Sequence, residues 1–119
     1  MSQVFGKAFV KANGKLLRSM PGAKLDLGGM ERQVVKGSST VHGYSESIKE
    51  ATVECEIALA RGDKLEDLRN VTGATITFEC DSGQTYVVRD AFIMDTLSLS
   101  EGEGGKVPVK FAGQPAEEA

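Results

Sequence analysis

One histidine, two cysteines and a cluster of hydroxyls are the residues of this chain best equipped for covalent or metal chemistry. His42 is the only histidine, and it lies in GSSTVHGYSES, Gly37 to Ser47, among four serines, a threonine and a tyrosine. Cys55 and Cys80 are the only thiols. A hydrolytic triad needs a nucleophile, an imidazole and a carboxylate held together, and the chain has no GxSxG elbow to present a serine. Structural zinc needs four closely spaced Cys or His ligands; three soft ligands without a CxxC pair do not make that set. The residues therefore point to no catalytic centre, no metal site and no cofactor. On this reading His42 belongs to a polar, small-residue loop, partly exposed to water. Both thiols fall on apolar positions of strands and act as small hydrophobes. Arg61-Gly62-Asp63 reads as a turn leading into a helix cap. GEGG, Gly102 to Gly105, lacks the Lys-Ser/Thr of a phosphate loop and reads as a hairpin turn.

The elements that carry these residues are short strands. Fourteen glycines punctuate runs rich in Val, Ile, Thr and Phe, the signature of strands joined by turns. Val4 to Val10 forms the first run, and Asn13-Gly14 favours a type I′ turn into Lys15 to Arg18. Pro21-Gly22 makes a further turn. Ala23 to Leu27 alternates, with Leu25 and Leu27 opposite Lys24 and Asp26. Glu31 to Val35 has the character of another strand. The clearest strand is ATVECEIALA, Ala51 to Ala60: Ala51, Val53, Cys55, Ile57 and Leu59 share one face, while Thr52, Glu54 and Glu56 share the other. RGDKLEDLRNVTG is the one helix, with Asp63 as its cap, Glu66 completing the capping box, and Leu65, Leu68 and Val71 as its apolar stripe. Thr75 to Cys80 and Thr85 to Met94 form a hairpin around Asp81-Ser82-Gly83. Lys106 to Phe111 is the last strand, with Pro108 favouring an edge. The fold class is mainly β: a sandwich or barrel with one short flanking helix. Residues 1–112 make the domain, and 113–119 are expected to be a flexible tail.

Composition narrows the partners. The 119 residues suit a single domain. The net charge is −3, without a basic run, which argues against phosphate-backbone binding. The absence of tryptophan and the low aromatic content argue against a base-stacking platform. No run of about 18 apolar residues offers a membrane span. MSQVFGKAFVK lacks the apolar core of a signal peptide, so reduced thiols in a cytosolic setting are expected. The long amphipathic Ala51 to Ala60 strand leaves an edge that a neighbouring subunit could pair with, closing sheets into a ring.

The order of these elements resembles the phage tail tube proteins of the Mu-like contractile-tail family. The matching pieces are AFVKANGKLL (Ala8 to Leu17), SMPGAKLDLGGMERQVVKGSSTVHGYSES (Ser19 to Ser47), IKEATVECEIAL (Ile48 to Leu59), DKLEDLRNVTGATITFEC (Asp63 to Cys80) and SGQTYVVRDAFI (Ser82 to Ile93). VHGYSESIKEATVECEI is the most specific of them. The resemblance implies a structural, non-enzymatic subunit, similar in fold to type VI secretion tube proteins. Its hexameric rings would stack into a tube inside a sheath, with tail-tip or baseplate and tape-measure proteins as further partners. Double-stranded DNA would pass through at ejection without specific binding. The protein would reside in the virion tail, after assembly in the host cytoplasm. The tubes of secretion systems and of headless contractile particles share this shape; a small β-barrel binding module is the reading from a different class. The resemblance also implies an acidic lumen, for which Asp26, Glu54, Glu56 and Glu79 are the candidates. It implies a long, disordered assembly loop between two early strands that contacts the next ring. That loop is Gly28 to Ser47, with Gly37, Ser38, Ser39, Thr40, Val41, His42, Gly43 and Tyr44 as its candidate contact residues.

Overall fold

The computed structural model describes residues 3–17, 19, 21–59, 65–102 and 105–119. β1 (Ala8–Ala12) turns at Asn13-Gly14 into β2 (Lys15–Leu16). Both turn residues have positive φ, 50° and 83°, as a type I′ turn requires. After Pro21-Gly22 comes β3 (Lys24–Asp26), then a hairpin of β4 (Gly29–Lys36) and β5 (Val41–Lys49). β6 (Ala51–Ala58) follows, with buried residues at every second position. Among the described residues a single short helix, α1 (Glu66–Arg69), precedes β7 (Ala74–Cys80) and β8 (Thr85–Ile93). β9 (Lys106–Gly113) and β10 (Glu117–Glu118) end the chain.

The strands pair in the order β2-β1-β7-β8-β9-β6-β3, antiparallel throughout. β8 serves two sheets. Its first half pairs with β7, Thr85 to Val88 against Ile76 to Glu79; its end pairs with β9 through Phe92 and Ile93. Between the halves the ladder to β7 shifts register and Asp90 takes φ 53°. A bulge with a left-handed residue bends a strand sharply, and here it carries β8 across the corner of a sandwich. Gly113 packs into that corner: a Cβ there would lie 2.7 Å from the Arg89 carbonyl oxygen.

The core lies between the inner faces. β1, β7 and β8 supply Val10, Ile76, Phe78 and Val88; β6 and β9 supply Val53, Cys55, Ile57, Val107, Val109 and Phe111. Leu65, Leu68 and Val71 pack α1 and its exit against this core. A helix this short cannot stand alone, so docking holds it.

Four expectations change in detail. The strand path is open, because β2 and β3 stand at its ends and do not pair, so the domain is a sandwich and not a closed barrel. Val4 to Lys7 precede the first strand, which starts at Ala8. Gly28 to Ser47, expected to be a disordered loop, instead run mostly through the β4–β5 ribbon, ordered by its own ladder. The tail is also structured: β10 pairs with β8 at Glu117↔Val87 and Glu118↔Tyr86, and the Ala116 N–H donates to the Leu27 carbonyl at 2.9 Å. Backbone donors hold it, with an Arg89–Glu117 ion pair at 3.3 Å and partial packing of Ala116 against the core. The Asp63 cap, the Arg61-Gly62-Asp63 turn and the middle of GEGG lie outside the described residues. Among the described residues no helix is long and apolar enough to cross a membrane.

Candidate assembly surfaces

His42 sits on β5 beside the ribbon turn, exposed, with its ring over Gly37. The turn closes through the Gly37 N–H donating to the Thr40 carbonyl at 2.8 Å. The Thr40 hydroxyl donates to the Val41 carbonyl at 3.3 Å, a local backbone bond and not a contact with the imidazole. β6 and β7 are not neighbours in the strand order, and the two cysteines are free rather than joined in a disulfide. Burial pushes the Cys55 thiol up to about 11. Loss of hydration also raises Cys80, helped by the Asp81 carboxylate beside it. Neither is an activated thiolate. Asp81 is held below the usual carboxylate range by backbone N–H bonds, first from Gly6 at 3.1 Å and then from Lys7. That carboxylate fastens the N-terminal segment to the β7–β8 turn.

The unusual feature is the ribbon. Among the described residues β4 and β5 pair only with each other, and all but Gly29 of their own residues are exposed. The Cα radius of gyration is 17.4 Å and the longest extent 61 Å, against a radius of about 13–14 Å for a compact domain of this length. Register sorts its side chains by face. Met30 pairs with Ile48, Arg32 with Glu46, and Val34 with Tyr44, so these six share one face. Glu31, Gln33, Ser45 and Ser47 share the other. Arg32 bonds Glu46 at 3.2 Å and stacks over the Tyr44 ring, 5.7 Å from its centroid. A two-stranded ribbon is marginal in water. An apolar face without a partner marks an interaction surface.

Of the candidate contact residues, Gly37 to Thr40 form the ribbon tip and Val41 to Tyr44 begin β5. Met30, Val34 and Ile48 carry more apolar surface than the tip and are not among the candidates drawn from the sequence. Their signal was present in the alternation Met30, Arg32, Val34 and Tyr44, Glu46, Ile48, diluted by the charged pair in the middle.

The candidate acidic residues divide. Asp26, Glu54 and Glu56 lie together on the outer face of the sheet formed by β3, β6 and β9. Glu79 lies on the outer face of the opposite sheet, bonded to Lys11 at 3.0 Å. Three lysines share the face of the first group. Glu54 has Lys24 and Lys110 as cross-strand neighbours on its two sides, with Lys110 at 3.3 Å. Lys106 is across from Ala58. Asp26 is 3.9 Å from Lys49 and accepts the Gly28 N–H at 3.1 Å. Glu56 is exposed opposite Pro108, which bears no charge.

The same sheet leaves backbone unpaired at both ends. β3 is terminal in the strand order. β9 is covered by β8 only around Phe111 and Ala112, extended by the Met94 N–H to Lys110 carbonyl bond. Beyond that point Pro108 and Lys106 face away from β6, and among the described residues no strand pairs with them on that side. Pro108 thus occupies an edge position, where its missing N–H costs no ladder bond.

This architecture and sequence have close counterparts. The phage tail tube protein family matches residues 1–118. The Mu-like prophage FluMu tail tube protein of Haemophilus influenzae is 40% identical over 111 residues, covering 93% of this chain and 92% of that protein. The tail tube protein of Escherichia phage Mu is 33% identical over 98 residues, 82% of each chain. Among solved structures, a chain of the sheath–tube complex of an extracellular contractile injection system, in its extended state, superposes with a TM-score of 0.68. It is 12% identical, and the match covers all of this chain and 91% of that one. By the span of the family match and the identity to these relatives, the chain belongs to the phage tail tube protein family, a family of structural, non-enzymatic subunits.

Proposed function

We propose that copies of this chain join edge to edge into hexameric rings, and that the rings stack through the β4–β5 ribbon into the inner tube of a contractile tail. The ribbon carries this reading: an ordered, amphipathic projection unsupported by its own domain is suited to a neighbouring copy. The open edges of β3 and β9 support lateral joining, since two unpaired edges of one sheet close when copies repeat around an axis. In the assembled tail the sheath surrounds the tube, tail-tip or baseplate and tape-measure proteins meet it, and double-stranded DNA passes through at ejection. Assembly takes place in the host cytoplasm. Asp26, Glu54 and Glu56 line the lumen together with Lys24, Lys106 and Lys110. Such a wall is polar and close to electrically balanced, and gives the phosphates neither a cationic groove nor a deep repulsive field. Glu79 belongs to the outer side.

The test is to replace residues 34–44 by Asn-Gly, which reconnects Gln33 to its partner Ser45 through a two-residue turn. The subunit is expected to keep its circular dichroism and melting transition, while negative-stain images show no tubes. Tubes of normal length from this variant would refute the ribbon reading.

A further inference from the structure

The apolar surfaces that the described residues leave open include two of opposite shape. One is the ribbon face, where Met30, Val34, Tyr44 and Ile48 are each about six- to seven-tenths exposed. The other is the mouth of the sandwich at the β7–β8 turn. There the inner faces of the two sheets part and leave a cavity of about 590 Å³, lined by Val4, Phe5, Leu25, Leu27, Phe78 and Tyr86. Phe78 and Tyr86 are cross-strand partners in one sheet, and Leu25 comes from β3 in the other. Phe5 meets Phe78 edge-on, with ring centroids 6.2 Å apart, yet stays 54% exposed. Cys80 also opens onto the mouth.

We infer that this mouth is the seat for the ribbon of a second copy, taking up the Val34 and Tyr44 pair. The inference rests on the ribbon reading above and names the surface that receives it. A subunit's own ribbon cannot reach its mouth. Leu27 lines the mouth and the ribbon starts two residues later, at Gly29. Val34 stands five residues further along a strand, roughly 16 Å away at about 3.3 Å per residue. The ribbon leads away from the domain, as the 61 Å extent requires. A tube built from one repeated chain must be held by contacts between copies, so the occupant is this chain itself. An apolar projection at one place and an apolar cavity at another make a head-to-tail contact, which propagates without closing. Because the seat adjoins the root of the receiving subunit's ribbon, each arriving ribbon meets the start of the next, and the contact repeats along a line.

Cysteine chemistry tests this directly, since Cys55 is buried and Cys80 lies in the mouth. Val34→Cys is expressed with the sheath and tail-tip proteins so that tails form, and is then treated with a mild thiol oxidant such as diamide. A covalent ladder of dimers, trimers and higher species is expected, because every copy offers residue 34 to one neighbour and Cys80 to another. Cys80→Ser in the same background abolishes the ladder. Gln33→Cys, on the opposite ribbon face, gives none. Tails that form but show no ladder, or an equal ladder from both faces, overturn the seat while leaving the ribbon reading standing. Wild-type protein gives a second readout without any ribbon change: alkylation of Cys80 is expected to be at least tenfold slower in tails than in free subunits. Equal rates overturn the proposal. Val4→Asp, at a mouth residue 79% exposed in the free subunit, is expected to fold normally and to stop stacking; normal stacking by this variant also overturns it.

Discussion

At the scale of single residues, Cys55 shows what burial does to a reactive group. Its thiol is enclosed by the core and 5% exposed, and its pKa is raised to about 11. In the unfolded chain the thiol ionises near its ordinary value of about 8.5–9. Between those values the unfolded state sheds a proton that the folded state retains, so stability is full below about pH 9 and falls as pH rises towards 11. At about 1.4 kcal/mol per unit, the loss amounts to roughly 2–3 kcal/mol. Urea titrations from pH 8 to 11 are expected to show this decline, and Cys55→Ala to flatten it; an unchanged slope in the variant would exclude Cys55 as its origin. Alternation in ATVECEIALA already put this thiol in the core. His42 was the opposite case. Its neighbours in sequence were hydroxyls, but a strand sends adjacent side chains to opposite faces, and the hydroxyls that look clustered in GSSTVHGYSES are dispersed around the ribbon.

At the scale of elements, the ribbon root is a place of close backbone approach. Gly28 has φ +67°, and a Cβ there would lie 2.6 Å from the carbonyl carbon and oxygen of Glu50. Those are backbone atoms and cannot rotate away. Gly14 in the β1–β2 turn has φ +83° with open space around it. Gly28→Ala is therefore expected to cost about 1–3 kcal/mol or more, and Gly14→Ala about 1 kcal/mol. Thermal melts of the two variants compare them, and equal losses would remove the argument for a close approach at the root. Elements with strict alternation were legible from the residues: β6, β7 and β9 have their apolar residues inside as expected. The ribbon was less so, because neither of its faces is buried and burial is what makes alternation strict. The C-terminal strand was illegible, because it is held by backbone donors to Arg89, Leu27 and Thr85 and by an exposed Arg89–Glu117 pair, neither of which a local sequence pattern announces.

At the scale of the whole molecule, the charge balance of the β3-β6-β9 face matters because a ring repeats it. One charge altered per subunit becomes a band of charge around the tube. Glu56 is the residue to change, since Pro108 opposite it is neutral, whereas reversing Glu54 would set three lysines side by side and oppose pairing. Glu56→Lys is expected to leave tubes intact and to slow DNA passage, the delay shrinking as salt is raised. Intact particles ejecting at the wild-type rate would remove this face from the lumen.

By itself, the sequence determined a mainly β domain, the core parity of its regular strands, the turns at Asn13-Gly14 and Gly83, and a family resemblance that the comparisons establish. These follow from local rules: period-two burial and the backbone freedom of particular turn residues. Only the tertiary structure decided that the sandwich stays open, that Glu79 leaves the company of Glu54 and Glu56, that three lysines balance their face, and that the supposed loop is a ribbon with one apolar side. Each of these depends on which strands become neighbours and in what register. Strand pairing joins residues far apart in the chain through backbone groups common to nearly all residues, so a local reading of side-chain order does not reveal which strands will meet.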